Sequence, residues 1–200
     1  MDIQCILWDF GDTLADEKFL LTSPQHIPEW GEVWREVLWD TPELTNAWDT
    51  GEISTQEIAA IIAQQLERPI EEVLTHMQQC CKNLQFFDMP WLAAKRCTLP
   101  RAMITIMPDA FSKWTVPYYQ LDEIFFPLVT SWEEHILDKG IMSLIALERL
   151  DHKVEPEQAL LIDNRQENLD AWAIHGGPGY LFTSEVQFQQ DLTTTLNMLA

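Results

Sequence analysis

The chain has 200 residues, of which 46% are hydrophobic and 22% charged, and this ordinary globular composition excludes fibrous, low-complexity and disordered proteins. Its length suits one compact domain, or a domain with a sizeable insert, and is too short for two full-sized independent domains. Twelve basic against 32 acidic residues give a formal net charge of −20, so we expect neither a nucleic-acid partner nor a membrane partner.

The first predicted element is a short buried strand over residues 3–8, where an apolar run stands near the start of the chain. Asp9, Gly11 and Asp12 follow it at once. An apolar run of this length that stops at Gly and carboxylates is typical of a strand that ends in a loop. The pattern therefore predicts acidic side chains at the end of the first strand.

A helical block follows, from about residue 19 to residue 96. Its first helix is indicated by apolar residues at helical spacing, which are Trp30, Val33, Trp34, Val37 and Leu38. A second helix is predicted to begin at the capping box formed by Ser54 and Glu57, and a third covers about residues 69–84.

Strands and helices alternate after Pro100, which predicts an α/β fold: a parallel sheet with helices on both faces. The helical block is then an insert between the first two strands. Pro127 lies within the third predicted strand, where it removes a backbone donor. The predicted strands here cover residues 102–107, 124–130, 158–163 and 179–182, and the predicted helices cover residues 136–150 and 167–174.

The cysteines and the N-terminal residues indicate the expected cellular location of the protein. Cys5, Cys80, Cys81 and Cys97 form no C-x-x-C pair, and we interpret them as reduced packing residues. The first ten residues carry no basic segment, and no run approaches 18 apolar residues. A cytoplasmic location is therefore expected.

Three polar residues stand at or near predicted strand ends: Asp9, Thr105 and Asp163. In parallel α/β sheets, ligands bind beyond the carboxyl ends of the strands. A carboxylate at that edge can act as a nucleophile, and a second carboxylate nearby can share a hard cation such as Mg²⁺. Because the chain is so acidic, a phosphate-binding site must be made locally cationic, and a bound metal does this.

The local strings resemble motifs of the haloacid dehalogenase-like (HAD) superfamily. The string WDFGDTL at residues 8–14 resembles its first motif, AMIT at 102–105 its second, and LLIDNRQEN at 160–168 its fourth. The resemblance covers nearly the whole chain. It implies a Rossmann-like core of residues 1–15 and 99–200, and an inserted α-helical cap of residues 16–98.

Carried over residue by residue, the resemblance assigns roles at the strand ends. Asp9 is the nucleophile that forms a phosphoaspartate, and Thr105 binds a phosphoryl oxygen. Mg²⁺ is held by Asp9, by the backbone carbonyl of Gly11 and by Asp163. Asn164 takes the place of a second acid in the fourth motif and is expected to bind metal-bound water.

The sequence departs from the family pattern at two places. Gly11 stands where the family's phosphatases usually have an Asp that serves as general acid and base, and Asp12 follows one residue later. Either Asp12 or water replaces this acid, or turnover is slow. Lys139 lies near the expected third-motif Lys but a residue or two out of register, with Gly140 in place of the usual Pro.

Each candidate also has a purely structural interpretation. Asp9 can be a turn former, Asp163 can begin an Asx turn, and Thr105 can satisfy a strand-end backbone group. Asp12 can be a solvated loop residue, and Lys139 a surface residue of a helix.

The function that the resemblance implies is Mg²⁺-dependent hydrolysis of small phosphomonoesters, of the sugar phosphate or nucleotide class, beneath a helical cap. The partner is then a small phosphorylated molecule. One alternative is a 2-haloacid dehalogenase, which uses the same Asp nucleophile on carbon and needs neither metal nor leaving-group acid. The other is a catalytically degenerate member that binds a ligand or protein.

Overall fold

The computed structural model describes residues 2–192. At its centre is a five-stranded sheet in which all neighbouring strands pair in parallel, in the spatial order β3-β2-β1-β4-β5. The expected α/β fold is confirmed. The strands are β1 (Cys5–Trp8), β2 (Arg101–Thr105), β3 (Leu128–Thr130), β4 (Ala159–Asp163) and β5 (Gly179–Leu181).

Strand β1 lies in the middle of the sheet, and all four of its residues are buried. Trp8 pairs with Met103 of β2 on one side and with Ile162 of β4 on the other. The carboxyl ends of the three central strands therefore meet at one edge of the sheet.

Helices cover both faces of the sheet, because successive strand residues point to opposite sides. Ile6 and Trp8 pack with apolar residues of the helices at 88–96 and 185–192, whereas Cys5 and Leu7 pack with those at 139–148 and 166–173. The helices after β2 are a π-helix (Phe111–Thr115) that continues as α6 (Val116–Tyr119), then α7 (Leu121–Ile124), α8 (Ser131–Glu134), α9 (Lys139–Glu148), α10 (Gln166–Ala173) and α11 (Glu185–Leu192).

The segment between β1 and β2 is helical. Its helices are α1 (Trp30–Trp34), which continues as a π-helix (Arg35–Trp39), α2 (Pro42–Asp49), α3 (Thr55–Leu66), α4 (Ile70–Cys81) and α5 (Asp88–Arg96). The capping box at Ser54 and Glu57 is present at the start of α3, as expected. We call α1–α4, with the π-helix between α1 and α2, the helical lobe.

The helical lobe has its own apolar cluster, centred on Trp30, Trp34 and Trp48, and this cluster extends to Ala110 and Trp114 after β2. Helix α5 instead packs with the sheet's cluster through Ala93 and Ala94. The predicted division into a core (1–15 and 99–200) and a cap (16–98) stays a prediction, and α5 belongs by its contacts to the sheet.

Several boundaries differ from the predicted ones, and two of these differences have a clear local cause. Strand β3 begins at Leu128, directly after Pro127; the predicted first residue, Ile124, ends the short helix α7, and residues 125–127 connect the two elements. Helix α9 begins at Lys139 rather than near residue 136, because the Asp138 carboxylate caps it by accepting the Ile141 N–H at 3.0 Å. Within residues 2–192, no helix is long and apolar enough to cross a membrane.

Candidate active site

Asp9 and Asp163 lie side by side at the carboxyl edge of the sheet. Asp9 directly follows β1, Asp163 ends β4, and the Asp9 N–H donates to the Ile162 carbonyl over 3.0 Å. Both side chains are buried. Two carboxylates at this edge match the sequence expectation, and the parallel pairing of β1 with β4 is what brings them together.

The ammonium group of Lys139 lies between the two carboxylates. Its Nζ is 2.5 Å from Asp9 Oδ1 and 3.2 Å from Asp163 Oδ2, and it also donates to the Ile104 carbonyl at 2.5 Å. The Lys139 side chain is only 1% exposed. The alternative that Lys139 is a surface helix residue is therefore wrong.

Further donors fix the orientation of both carboxylates. Asp9 Oδ2 accepts the Thr13 hydroxyl at 3.0 Å. Asp163 Oδ1 accepts the Arg165 N–H at 2.8 Å, and both of its oxygens accept from Asn168 Nδ2, at 2.9 and 3.0 Å. The Arg165 contact is the Asx turn anticipated for Asp163, so the turn and the contact with Lys139 occur together.

Burial and charge act against each other at this site. Burial raises the pKa of Asp9 to about 6, with nearby Lys139 opposing the rise and Asp163 adding to it. Burial alone would lower the pKa of Lys139, but the two aspartates outweigh it and hold that pKa above its usual value. Lys139 therefore stays charged and compensates the buried carboxylates.

Gly140 explains how Lys139 reaches this depth. A Cβ at Gly140 would lie 2.5 Å from the carbonyl oxygen of Ala171, which is closer than real side chains approach backbone. Because Gly140 has no side chain, α9 packs tightly against α10. This close packing holds the first residue of α9 at the sheet edge.

A cleft of about 380 Å³ opens above Asp9. One side is formed by residues of the helical lobe and the segment before it, and the other by loops that follow the strands. Its charged residues are Asp9, Glu17, Asp49, Lys139 and Arg165. The remaining lining residues are Leu20, Trp34, Leu38, Trp39, Thr45, Asn46, Trp48, Ile106, Met107, Pro108, Leu137, Asn164 and Asn168.

Two further carboxyl groups in the cleft, besides Asp9, have raised pKa values. Burial raises the pKa of Glu17 to about 7, with Asp9 and Asp12 adding to the rise and Arg165 and Lys139 opposing it. Burial, and then the charge of Glu17, raise the pKa of Asp49 to about 8. Near neutral pH, both groups can therefore carry a proton.

The remaining predicted residues are not all brought to the cleft. Asn164 lines it. Asp12 lies outside it, and its Oδ1 accepts the Glu17 N–H at 3.0 Å, so this carboxylate caps the turn that begins at Glu17. Thr105 is buried at the end of β2 and does not line the described part of the cleft, and its hydroxyl has no hydrogen-bond partner there.

Sequence reasoning assigned no role to Thr13, Asn168, Glu17, Asp49 or Arg165. Thr13 and Asn168 stand inside the strings that carry the resemblance, so their position was a usable signal. Glu17 and Asp49 lie outside the strings at 8–14, 102–105 and 160–168. They reach the cleft only through the fold of the segment between β1 and β2.

The donor set at the sheet edge fits a magnesium ion. Within residues 2–192 there is no cluster of three or more His, Cys, Asp or Glu side chains suited to a metal. Mg²⁺ does not require one, because it keeps several waters and is usually held by one or two carboxylates together with substrate phosphates. Asp9 and Asp163 supply two hard oxygen donors at this edge, with the Lys139 ammonium between them.

No family model and no curated protein matches the chain. Solved structures do match its fold. An L-2-haloacid dehalogenase from Xanthobacter autotrophicus is 17% identical with a TM-score of 0.65, covering 98% of this chain and 86% of that one. A HAD-family enzyme from Bacteroides thetaiotaomicron, a mutant solved with magnesium and inorganic phosphate, is 13% identical with a TM-score of 0.67, covering 90% and 94%.

A predicted HAD-like family hydrolase from Porphyromonas gingivalis is 12% identical with a TM-score of 0.62, covering 97% of this chain and 99% of that one. These similarities extend over both the sheet and the helical segment. The chain therefore has the haloacid dehalogenase-like fold that its motifs led us to expect.

Proposed function

We propose that the protein is a Mg²⁺-dependent hydrolase of small phosphomonoesters that uses Asp9 as its nucleophile. The observation that carries the proposal is the contact of one buried ammonium, Lys139, with both Asp9 and Asp163 at the base of a cleft. A buried carboxylate that is oriented by two donors and faces a cleft of ligand size is suited to attack a bound electrophile.

In the first step, an Asp9 carboxylate oxygen attacks phosphorus and the bond to the leaving oxygen breaks. Lys139 keeps Asp9 ionised, because its positive charge opposes the rise in pKa that burial causes. Thr13 and Lys139 hold the carboxylate in one orientation, which lowers the entropic cost of the attack. In the second step, water attacks the phosphoaspartate and releases inorganic phosphate.

Asp9, Asp163 and the Gly11 carbonyl would hold the magnesium ion, with Asn164 beside them. When bound, it supplies positive charge that offsets the phosphoryl oxygens in the transition state. This charge matters here because Lys139 alone leaves the two aspartates with a net negative charge, which would repel a phosphate dianion. A magnesium and phosphate complex of a protein with the same fold is consistent with this role.

The cleft also supports the expected class of substrate. A volume of about 380 Å³ suits a metabolite-sized leaving group. Trp34, Trp39 and Trp48 supply aromatic surface, whereas Asn46 and Asp49 supply polar groups. A sugar or a nucleoside combines such apolar faces with hydroxyl donors, so we place the substrate in the sugar phosphate or nucleotide class.

A second candidate, a 2-haloacid dehalogenase, is favoured by one observation. Each carboxylate oxygen of Asp9 and Asp163 already has a protein donor within 3.2 Å, so all four oxygens are hydrogen-bonded without a metal. Attack of Asp9 on carbon needs no further cation. A dehalogenase of the same fold is consistent with this alternative.

One activity panel separates the two candidates. Sugar phosphates, nucleotides, p-nitrophenyl phosphate and 2-chloropropionate are assayed with Mg²⁺ and with EDTA, and Asp9→Asn serves as the inactive control. We expect phosphate release that EDTA abolishes and Mg²⁺ restores. Chloride release that is insensitive to EDTA, without phosphate release, would replace the phosphatase with the dehalogenase.

A further inference from the structure

An alcohol is a poor leaving group unless its oxygen receives a proton as the bond to phosphorus breaks. Gly11 offers no side chain for this, and Asp12 lies outside the cleft. In the described part of the chain, the acidic residues that line the cleft are Asp9, Glu17 and Asp49. Since Asp9 is the proposed nucleophile, Glu17 and Asp49 are the candidates.

The carboxyl group of Glu17 occupies the space that a side chain at residue 11 would fill. A Cβ built on Gly11 would contact Glu17 Oε1 and would lie 2.8 Å from Glu17 Cδ. Any side chain at residue 11 would therefore displace Glu17. The Glu17 carboxyl group can therefore lie beside the backbone of residue 11 because that residue is glycine.

Local contacts hold Glu17 in this position. Its N–H donates to Asp12 Oδ1 at 3.0 Å, and its Oε2 lies 3.9 Å from Arg165 Nη2. The Glu17 side chain is 34% exposed, so it reaches the cleft without being sealed from it. Asp49 belongs to α2 of the helical lobe and supplies none of the three atoms nearest to a Cβ built on Gly11.

We propose that Glu17 is the general acid and base of the phosphatase, an assignment that rests on the proposed function. As Asp9 attacks phosphorus, the leaving oxygen takes the Glu17 proton and departs as an alcohol. A water molecule then attacks the phosphorus of phosphoaspartate and gives its proton to the Glu17 carboxylate. The bond from phosphorus to Asp9 breaks, phosphate leaves, and both side chains return to their starting forms.

The test is the effect of Glu17→Gln on leaving groups of different basicity. The value of kcat/KM reports the steps up to phosphoaspartate formation, and it is measured for an alkyl phosphate and for p-nitrophenyl phosphate. Loss of a general acid typically costs about 10² to 10⁴ in rate, so we expect a loss of this size for the alkyl phosphate. The loss for p-nitrophenyl phosphate should be at least tenfold smaller, because nitrophenolate needs little protonation.

Two further variants complete the test. Glu52→Gln, at an exposed turn of the helical lobe, is the matched control and should leave both rates unchanged. The double variant Gly11→Asp with Glu17→Ala moves the carboxyl group to residue 11 without the overlap. It should recover part of the alkyl phosphate activity that Glu17→Ala loses.

Equal losses on both substrates in Glu17→Gln would overturn the assignment. A selective loss on the alkyl phosphate in Asp49→Asn, and not in Glu17→Gln, would transfer the role to Asp49. Circular dichroism and residual hydrolysis of p-nitrophenyl phosphate show whether each variant is folded. A wild-type protein that hydrolyses no phosphomonoester at all would instead refute the proposed function, and the role of Glu17 with it.

Discussion

Two regions of the site differ in how their charges are balanced: the strand-end site, formed by Asp9, Asp163 and Lys139, and the cleft wall, which carries Glu17 and Asp49. At the strand ends, Lys139 compensates Asp9 and Asp163, and every carboxylate oxygen has a donor. On the wall, burial raises the pKa of both Glu17 and Asp49, the charge of Glu17 adds to the rise at Asp49, and Arg165 opposes the rise at both residues. The first region is suited to fixed, ionised chemistry, whereas the second is suited to proton transfer and substrate contact.

Their exposure differs in the same sense. The side chains of Asp163 and Asp9 are 0% and 8% exposed, whereas the Glu17 side chain on the wall is 34% exposed. A buried, fully bonded cluster tolerates little change, because removing one partner leaves a charge without compensation. The wall can vary with the substrate while the strand-end site stays the same.

The largest effect is expected from Asp9→Asn. The amide is nearly isosteric but a poor nucleophile, so kcat should fall on the order of 10⁴-fold or more. Steady-state kinetics measure this loss, and circular dichroism should remain that of the wild type. Activity within tenfold of the wild type would remove Asp9 from the chemistry.

The next effect compares a buried lysine with an exposed one. Lys139→Met leaves two buried carboxylates without a cation and should lower the free energy of unfolding by about 3 to 5 kcal/mol. Lys153 pairs with Glu155 while its side chain is 85% exposed, so Lys153→Met should change stability far less than Lys139→Met does. Urea denaturation measures both variants, and equal losses would contradict the contrast between buried and exposed pairs.

Gly140→Ala tests the packing that positions Lys139. The added methyl group meets the Ala171 carbonyl, so we expect a loss of about 1 to 3 kcal/mol in stability together with reduced kcat. Ile141→Ala, on the exposed side of the same helix, is the control and should cost about 0.5 kcal/mol. If Gly140→Ala has wild-type stability and rate, α9 has room to move and close packing does not position Lys139.

The smallest effect concerns Asp49 on the cleft wall. Its pKa is raised to about 8, chiefly by burial and then by Glu17. Between about pH 4 and pH 8, the folded state holds a proton that the unfolded chain has released, so this group lowers stability as the pH rises. The stability of Asp49→Asn relative to wild type should therefore increase from pH 5 to pH 8.

This increase should be about 1 to 2 kcal/mol, because solvent reaches the partly exposed side chain and reduces the effect. Urea denaturation at the two pH values measures it. Parallel pH dependences for Asp49→Asn and wild type would show that Asp49 is ionised in the folded protein and that the wall is solvated like an ordinary surface.

The contrast between the two regions also explains what the sequence could predict. Asp9 and Asp163 follow from strand ends and short strings, because the carboxyl ends of parallel strands share an edge. The sequence identifies Lys139 as a candidate, but a residue or two away from the expected third-motif position. Its burial between the two aspartates depends on the Asp138 cap and on the close packing at Gly140, which the motif does not contain. Thr105 is buried at the end of β2 and does not line the described part of the cleft, where Ile106 and Met107 do, so its expected role stays a prediction.

Such sequence patterns do not predict that Glu17 belongs to the site. It stands in a 3₁₀ turn (Glu17–Leu21), eight residues after Asp9, and no spacing rule links it to Gly11. Only the path of the chain shows that its carboxyl group fills the space beside that glycine. Residues set by regular structure can therefore be predicted from sequence, whereas residues set by loop shape cannot.

The central claim is that Asp9 becomes phosphorylated during turnover, and acid quenching followed by mass spectrometry tests it most directly. Wild-type protein is mixed with its best phosphomonoester substrate and Mg²⁺, quenched within the first turnover, and digested. We expect a phosphoryl group on the peptide that contains Asp9, and none on that peptide from Asp9→Asn. Sustained phosphate release with no adduct on Asp9, or with the adduct on another side chain, would contradict the mechanism.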